Sequence, residues 1–255
     1  MPLEIITIPC RTDNYAFLVH NSDSGETALV DAPEFEPIKD VLDQNEWQLT
    51  DLLITHHHFD HIDAVAQLRD SYAPRVIGAK ADAARLPDLD VQVADGDTLI
   101  VCGAECHVMD VPGHTVGHIA FHMPSTKAVF TADSLMALGC GRLFEGTPDQ
   151  MWNSLCKIRA LPADTLVYSG HEYTASNAKF ALTIEPENND LISRFRQIEI
   201  ARKNNTPTVP SRLSDECLTN PFLRADLADV KSAIHMDGKS DEEVFAEIRK
   251  RKDNF

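Results

Sequence analysis

The segment His56-His57-His58-Phe59-Asp60-His61 packs four histidines and an aspartate into six positions, directly behind the short apolar run Leu52–Thr55. Imidazole nitrogens and a carboxylate at this density suit zinc, iron or manganese. If residues 56–58 stay extended, His56 and His58 point to one side and His57 to the other, because side chains alternate along a strand. His56 and His58 are therefore expected to share an ion, and His57 to point away from it. Asp60 and His61 follow where the chain turns into a helix, and they face a slightly different point. Five candidate ligands exceed what one tetrahedral ion takes, so a second metal close by is expected. The chain must end a buried strand at this point and bring further ligands to the same edge.

More candidates stand at the ends of other strand-like runs. Pro112-Gly113-His114-Thr115 places a histidine where a strand breaks into a turn. Thr131-Ala132-Asp133-Ser134 places an aspartate at the end of an apolar strand, and Ser169-Gly170-His171-Glu172 repeats the arrangement. Ligands held at neighbouring strand ends converge on one edge of a sheet sandwich. Asp31, ending the strand Thr27–Val30, is a candidate to orient a ligand imidazole by a hydrogen bond. His20, His107, His122 and His235 lack such a context and are expected to be ordinary surface or core residues. His118 is expected to make a structural or orienting hydrogen bond.

The pattern of apolar runs and breakers gives a mixed α/β reading. Leu3–Pro9, Tyr15–Val19 and Thr27–Val30 read as strands, the last two joined by the loop 21–25. Further strands are expected at Arg75–Ile77, Thr98–Val101, His107–Val111, Ile119–Met123, Ala128–Thr131 and Thr165–Ser169, divided by Asp-Gly, Pro-Gly and Pro-Ser breaks. Helices are expected at Phe35–Glu46, Ile62–Tyr72 and Gln150–Leu161. After His171 the character becomes mostly helical, with Ala175–Leu182, Asp190–Lys203 and Asp241–Lys252. Ser240 and Glu243 stand at capping-box spacing at the start of the last of these. At about 100–200 residues per domain, 255 residues make one large domain or one with a smaller attachment. The division expected is 1–171 and 172–255.

Charge follows the same division. The formal net charge is −17, from 23 Lys plus Arg against 40 Asp plus Glu. Residues 1–170 hold 10 bases and 25 acids, while residues 171–255 hold 13 bases and 15 acids. This balance argues against a nucleic-acid partner, which would need a basic surface to displace counterions. No stretch approaches the 18 or so uninterrupted apolar residues of a membrane span, and Met1-Pro2-Leu3-Glu4 lacks the pattern of a secretory signal. A cytoplasmic protein without a membrane partner is expected. The six cysteines contain no CxxC and read as reduced thiols, most of them buried.

The sequence resembles the glyoxalase II family of hydroxyacylglutathione hydrolases, within the metallo-β-lactamase superfamily. The resemblance is carried by Thr55–His61, Pro112–His118 (PGHTVGH), Phe130–Ser134, Gly139–Gly146 (GCGRLFEG), Gly170–Thr174 (GHEYT) and the tail Arg251–Phe255. It implies an αββα sandwich, an α/β fold, followed by a smaller α-helical domain that binds substrate. It implies two divalent metal ions, zinc first and iron or manganese as alternatives. His56, His58 and His114 would hold one ion, Asp60, His61 and His171 the other, and Asp133 would bridge them. Arg142, Phe144, Tyr173, Arg249 and Lys252 would bind the glutathione part of the substrate.

The activity implied is hydrolysis of S-(2-hydroxyacyl)glutathione, typically S-D-lactoylglutathione, to glutathione and a 2-hydroxy acid in methylglyoxal detoxification, by a monomer. A hydroxide between the metals is the expected nucleophile, with no separate catalytic acid or base. The rivals are a superfamily relative acting on a β-lactam, a phosphodiester or a persulfide, and a metal-dependent binding module without turnover. Two departures from the family pattern stand out. Ile62-Asp63-Ala64 replaces the common Gly-Gly after the Asp-His pair, and Phe130–Met136 differs from the commoner T-G-D-T-L-F.

Overall fold

In the computed structural model, which describes residues 3–255, the chain forms two compact units. Met1 and Pro2, part of the N-terminal stretch considered above, lie outside the described residues. The first unit takes the chain up to Asp110 together with Gly117–Ala132, and the second takes Val111–Val116 and Asp133–Phe255.

The first unit begins with strands β1 (Glu4–Cys10), β2 (Asn14–His20) and β3 (Glu26–Val30), helix α1 (Phe35–Gln44) and strand β4 (Gln48–Leu53). Two short helices follow, α2 (Phe59–Ile62) and α3 (Val65–Tyr72), and then strands β5 (Arg75–Ala79) and β6 (Val91–Val93). β1, β2 and β3 pair antiparallel, and β3 to β6 continue as a parallel run in the order β3-β4-β5-β6. A meander of β7 (Thr98–Val101), β8 (Ala104–Asp110), β9 (Ile119–Met123) and β10 (Ala128–Ala132) pairs antiparallel throughout. The two sheets face each other. The Phe17 ring of β2 meets that of Phe130 of β10 at 5.7 Å between centroids, and the Cys102 thiol donates to the Val19 carbonyl at 3.2 Å.

β2 is buried along its whole length, and Ala28–Val30 of β3 are buried too, as continuous apolar strands inside a covered sheet must be. α1 buries Ile38 and Leu42, and α3 buries Val65 and Leu68. The single helix expected at Ile62–Tyr72 is split. The Ala64 amide donates to the Ala32 carbonyl at 3.0 Å and the His61 carbonyl accepts from the Ala32 amide at 2.8 Å, so the chain is tied sideways where the helix would have continued. β4 starts at Gln48, four residues earlier than the apolar run, because pairing with β3 recruits polar residues.

The second unit opens after β10 with a two-residue hairpin, β11 (Leu135–Met136) and β12 (Gly139–Cys140). Helix α4 (Pro148–Arg159) starts with a capping box between Thr147 and Gln150, and strand β13 (Leu166–Ser169) follows. α5 (Thr174–Ile184) and α6 (Asn189–Lys203) pack around Leu138, Ala178, Ala181, Leu191 and Ile198. Strand β14 (Ser211–Arg212) pairs with β13 and leads into α7 (Leu213–Thr219), α8 (Ala228–Ala233) and α9 (Asp241–Asp253). The box expected at Ser240 is present: its hydroxyl accepts from the Glu243 amide at 3.3 Å, and the Glu243 carboxylate accepts from the Ser240 amide at 3.0 Å.

The hairpin is clamped from below by a buried polar network. Glu216 accepts from the Leu138 amide at 2.8 Å and pairs with Arg194, and Asn220 donates to the carbonyls of Met136 and Gly139 at 3.1 and 3.0 Å. A fully buried carboxylate is tolerated because a guanidinium and two hydrogen-bond donors answer it. No helix among the described residues is long and apolar enough to cross a membrane.

Candidate metal centre

Four candidate ligands, His56, His58, Asp60 and His61, belong to the first unit, and His114, Asp133 and His171 to the second. In the first unit β4 ends at Leu53, and His58, just before α2, has an extended backbone with φ and ψ of −63° and 141°. α2 then starts at Phe59, so Asp60 and His61 lie on its single turn. The His56 and His58 rings are 4.8 Å apart, and the His56 and His61 rings 4.2 Å.

Several of these candidate ligands are oriented by a neighbour. Asp31 accepts from the Thr55 amide at 2.9 Å and the Thr55 hydroxyl at 2.8 Å, and its Oδ2 lies 2.8 Å from Nδ1 of His61. A carboxylate on Nδ1 sets the tautomer that leaves Nε2 as the metal donor and raises its basicity. Asp31, His56 and His61 are all buried, with donor atoms within 4.8 Å of one another. Asp31 has three hydrogen bonds already, so it orients rather than ligates. The buried Asn14 amide donates to the Asp60 carboxylate at 2.9 Å and to its carbonyl at 3.1 Å. His118 stacks on His56 at 4.6 Å with its Nδ1 3.1 Å from the Ile119 carbonyl.

In the second unit, His114 Nδ1 lies 2.8 Å from the Arg142 carbonyl, which turns its Nε2 to within 3.4 Å of Asp133 Oδ2. His171 Nε2 approaches the same oxygen at 3.3 Å. Two atoms bound at 2.0–2.1 Å to one tetrahedral ion stand about 3.4 Å apart. Buried imidazoles and a carboxylate at this separation fit a divalent ion. Gly141 makes the arrangement possible: a Cβ there would collide with the Asp133 carbonyl and stand 2.8 Å from His114 Nδ1.

The expected substrate residues all lie in the second unit, in three different settings. Arg142 and Phe144 are exposed, and the Phe144 ring meets His114 edge-on at 5.3 Å. Tyr173, 39% exposed, stacks flat on His171 at 4.7 Å. Lys252 is half-buried, its ammonium 5.3 and 5.1 Å from the ring centroids of Phe180 and Phe255. Burial, with repulsion from Arg249 and Arg142, lowers its pKa to about 8. Arg249 is buried: it donates to the Cys140 carbonyl at 2.9 Å and to Asp253 at 2.8 and 3.1 Å, and lies over Phe222.

Sequence reasoning missed Asn14, the Arg142 carbonyl and the closeness of Gly141, because each acts through a fold contact that no spacing announces. Asp63, the departure from Gly-Gly, is answered by Arg11 at 2.5 Å, and Arg11 also covers the Phe59 ring. Burial makes four of the six cysteines poor nucleophiles. It pushes the thiols of Cys10, Cys102 and Cys106 up to about 12 and that of Cys140 up to about 11, leaving no appreciable thiolate at neutral pH.

Comparison with known proteins agrees along the whole chain. Residues 11–171 match the profile described as the metallo-beta-lactamase superfamily, and residues 172–255 match that described as hydroxyacylglutathione hydrolase C-terminus. A hydroxyacylglutathione hydrolase of Ruegeria pomeroyi is 62% identical over 255 residues, all of both chains, and one of Cereibacter sphaeroides 60% over the same span. Among solved structures, ETHE1 from Myxococcus xanthus superposes with a TM-score of 0.69 at 26% identity, covering 98% of this chain and 90% of that one. TTHA1623, solved in a di-iron-bound form, gives 0.56 at 26% identity, covering 66% and 91%.

Proposed function

The chain belongs to the hydroxyacylglutathione hydrolase family of the metallo-β-lactamase superfamily, and from that premise we infer that it is a thioesterase cleaving S-(2-hydroxyacyl)glutathione, with S-D-lactoylglutathione as the expected substrate. Water's oxygen joins the acyl carbon, the C–S bond breaks, and the products are glutathione and a 2-hydroxy acid. The observation that most supports a metallohydrolase reading is the convergence of His114 and His171 on one oxygen of Asp133, at 3.4 and 3.3 Å.

His56, His58 and His114 are proposed to hold one ion, Asp60, His61 and His171 the other, and Asp133 both. Zinc is the first candidate, and the di-iron form of TTHA1623 makes iron a serious second. Held by these residues, divalent ions would supply Lewis-acid chemistry, lowering the pKa of water toward neutrality and polarising an acyl oxygen. The chain's own residues supply the rest. Asp31, Asn14 and the Arg142 carbonyl keep three ligands aimed. The thiolate leaving group has a thiol pKa of about 8.5 and needs no protein acid to depart.

Lys252 and Arg142 are the cations proposed to meet the carboxylates of the glutathione part, with Phe144 and Tyr173 beside them as apolar walls. Arg249 is proposed to serve the same binding from behind, by holding the Cys140 carbonyl next to Gly141 and Arg142. The six free cysteines suit a reducing compartment, and a cytoplasmic location is proposed on that ground.

Steady-state kinetics on a panel of glutathione thioesters, a β-lactam and a phosphodiester test the reading. A kcat/KM for S-D-lactoylglutathione far above that for the other two classes is expected. A preference for either of them, or binding of glutathione conjugates without turnover, would overturn it.

A further inference from the structure

His57 is the one histidine of the 56–61 run outside the proposed ligand set, and its environment is built rather than incidental. Its Nδ1 lies 2.9 Å from Oδ2 of Asp82, a side chain only 3% exposed, at the end of the 3-10 turn Lys80–Asp82 that follows β5. The other oxygen of Asp82 accepts from Nε of Arg85 at 2.5 Å. The same carboxylate packs against Gly117 of the PGHTVGH motif: a Cβ there would stand 2.6 Å from both Cβ and Cγ of Asp82 and 2.9 Å from its Oδ2. The next residue, His118, stacks on His56. One buried carboxylate therefore touches both His57, the neighbour of His56 in the chain, and Gly117, the neighbour of the His118 that stacks on His56.

We propose that Asp82 is a positioning residue for the metal ligands: by holding His57 and seating Gly117, it fixes the extended backbone from which His56 and His58 project. The physical argument is alternation. The His56 and His58 rings lie 4.8 Å apart while His57 between them turns to Asp82, the alternation of an extended chain, so anchoring the middle side chain sets the rotation of the peptide planes on both sides and hence the direction of the two flanking imidazoles. Burial makes the anchor stiff, since a carboxylate out of water that lost His57 would be left with an unanswered lone pair. Arg85 offsets the charge of Asp82. Neither sequence spacing nor the family assignment points to Asp82, which lies 21 residues beyond His61 in an unremarkable Lys-Ala-Asp turn.

This inference rests on the reading that His56 and His58 bind metal, and the test separates the two. Zinc affinity is measured on metal-stripped protein by competition with a chromophoric chelator, for wild type, Asp82→Ala, His57→Ala and His57→Asn. Thermal midpoints of the stripped proteins are recorded alongside. Asn carries an N–H donor near the position of Nδ1, so it can keep the Asp82 contact. Loss of an orienting partner typically weakens metal binding 10–100-fold. Such a loss is expected for Asp82→Ala and His57→Ala, while His57→Asn stays within about threefold of wild type. Should Asp82→Ala misfold, the His57 pair carries the same comparison alone. Affinities within threefold of wild type in both alanine variants, or an equal loss in His57→Asn and His57→Ala, would overturn the role of Asp82. A wild-type chain that takes up no zinc, iron or manganese would overturn the metal reading and this one with it.

Discussion

In the first unit a candidate ligand histidine, His61, is aimed by a side-chain carboxylate, that of Asp31, whereas in the second the candidate His114 is aimed by a main-chain carbonyl, that of Arg142. A carboxylate is one mutable group that also adds charge and raises imidazole basicity. A carbonyl is set by the path of the chain, and here that path is the β11–β12 hairpin held by Glu216, Asn220 and Arg249. The first unit should therefore be sensitive to single side chains at the site. The second should be sensitive to backbone fit at Gly141 and to supports well away from the ligands. The charge distribution follows: acids concentrate where cations are to be held, and the tail from Arg249 to Phe255 is net +3.

The largest effects should come from removing one candidate ligand from each unit. His58→Ala and Asp133→Ala should both lower kcat for S-D-lactoylglutathione by more than about 100-fold, beyond the usual effect of losing an orienting residue, and should lower bound metal. Full metal content and activity in either variant would break the ligand assignment. Next in size, Asp31→Ala and Gly141→Ala should each weaken zinc binding about 10–100-fold by different routes, a lost hydrogen bond and a displaced chain. An unaffected Gly141→Ala would mean that the second unit does not depend on close approach.

A smaller effect concerns substrate binding. Lys252→Ala should raise KM about tenfold with little change in kcat, the signature of lost uniform binding. The Lys252 amine attracts a carboxylate only when protonated, and its pKa is lowered to about 8. Its charge is present below that pH and lost above it, so KM should climb as pH rises through about 8 and stay flat in Lys252→Arg. Added salt should raise KM in wild type more than in Lys252→Ala. The smallest effect is expected at Asp63→Gly, which restores the commoner residue type. Its pair with Arg11 is 30% and 40% exposed, so the stability change should stay below about 1 kcal/mol and metal content should not move.

How far these features could be read from sequence depended on length and periodicity. β7 and β9 fall where their apolar runs and breakers put them, at Thr98–Val101 and Ile119–Met123. β6, α7 and α8 were not anticipated, since three to seven residues carry too little period to stand out. The excursion of Val111–Val116 into the second unit leaves no mark in composition, because it is decided by packing. At the site, strand ends announced where His114, Asp133 and His171 would stand, and Asp31 was anticipated as an orienting group. The family resemblance assigns Arg249 to substrate binding. Its burial against Cys140 and Phe222 comes from how α9 packs, which charge pattern cannot reveal.

Paired metal ions are proposed to make this chain a glutathione thioesterase, and that dependence can be measured. It is tested most directly by titrating zinc back into metal-stripped protein while following hydrolysis of S-D-lactoylglutathione. Negligible turnover in the stripped protein and recovery that saturates near two ions per chain are expected. Undiminished hydrolysis in the stripped protein, or no recovery with any of zinc, iron or manganese, would contradict it.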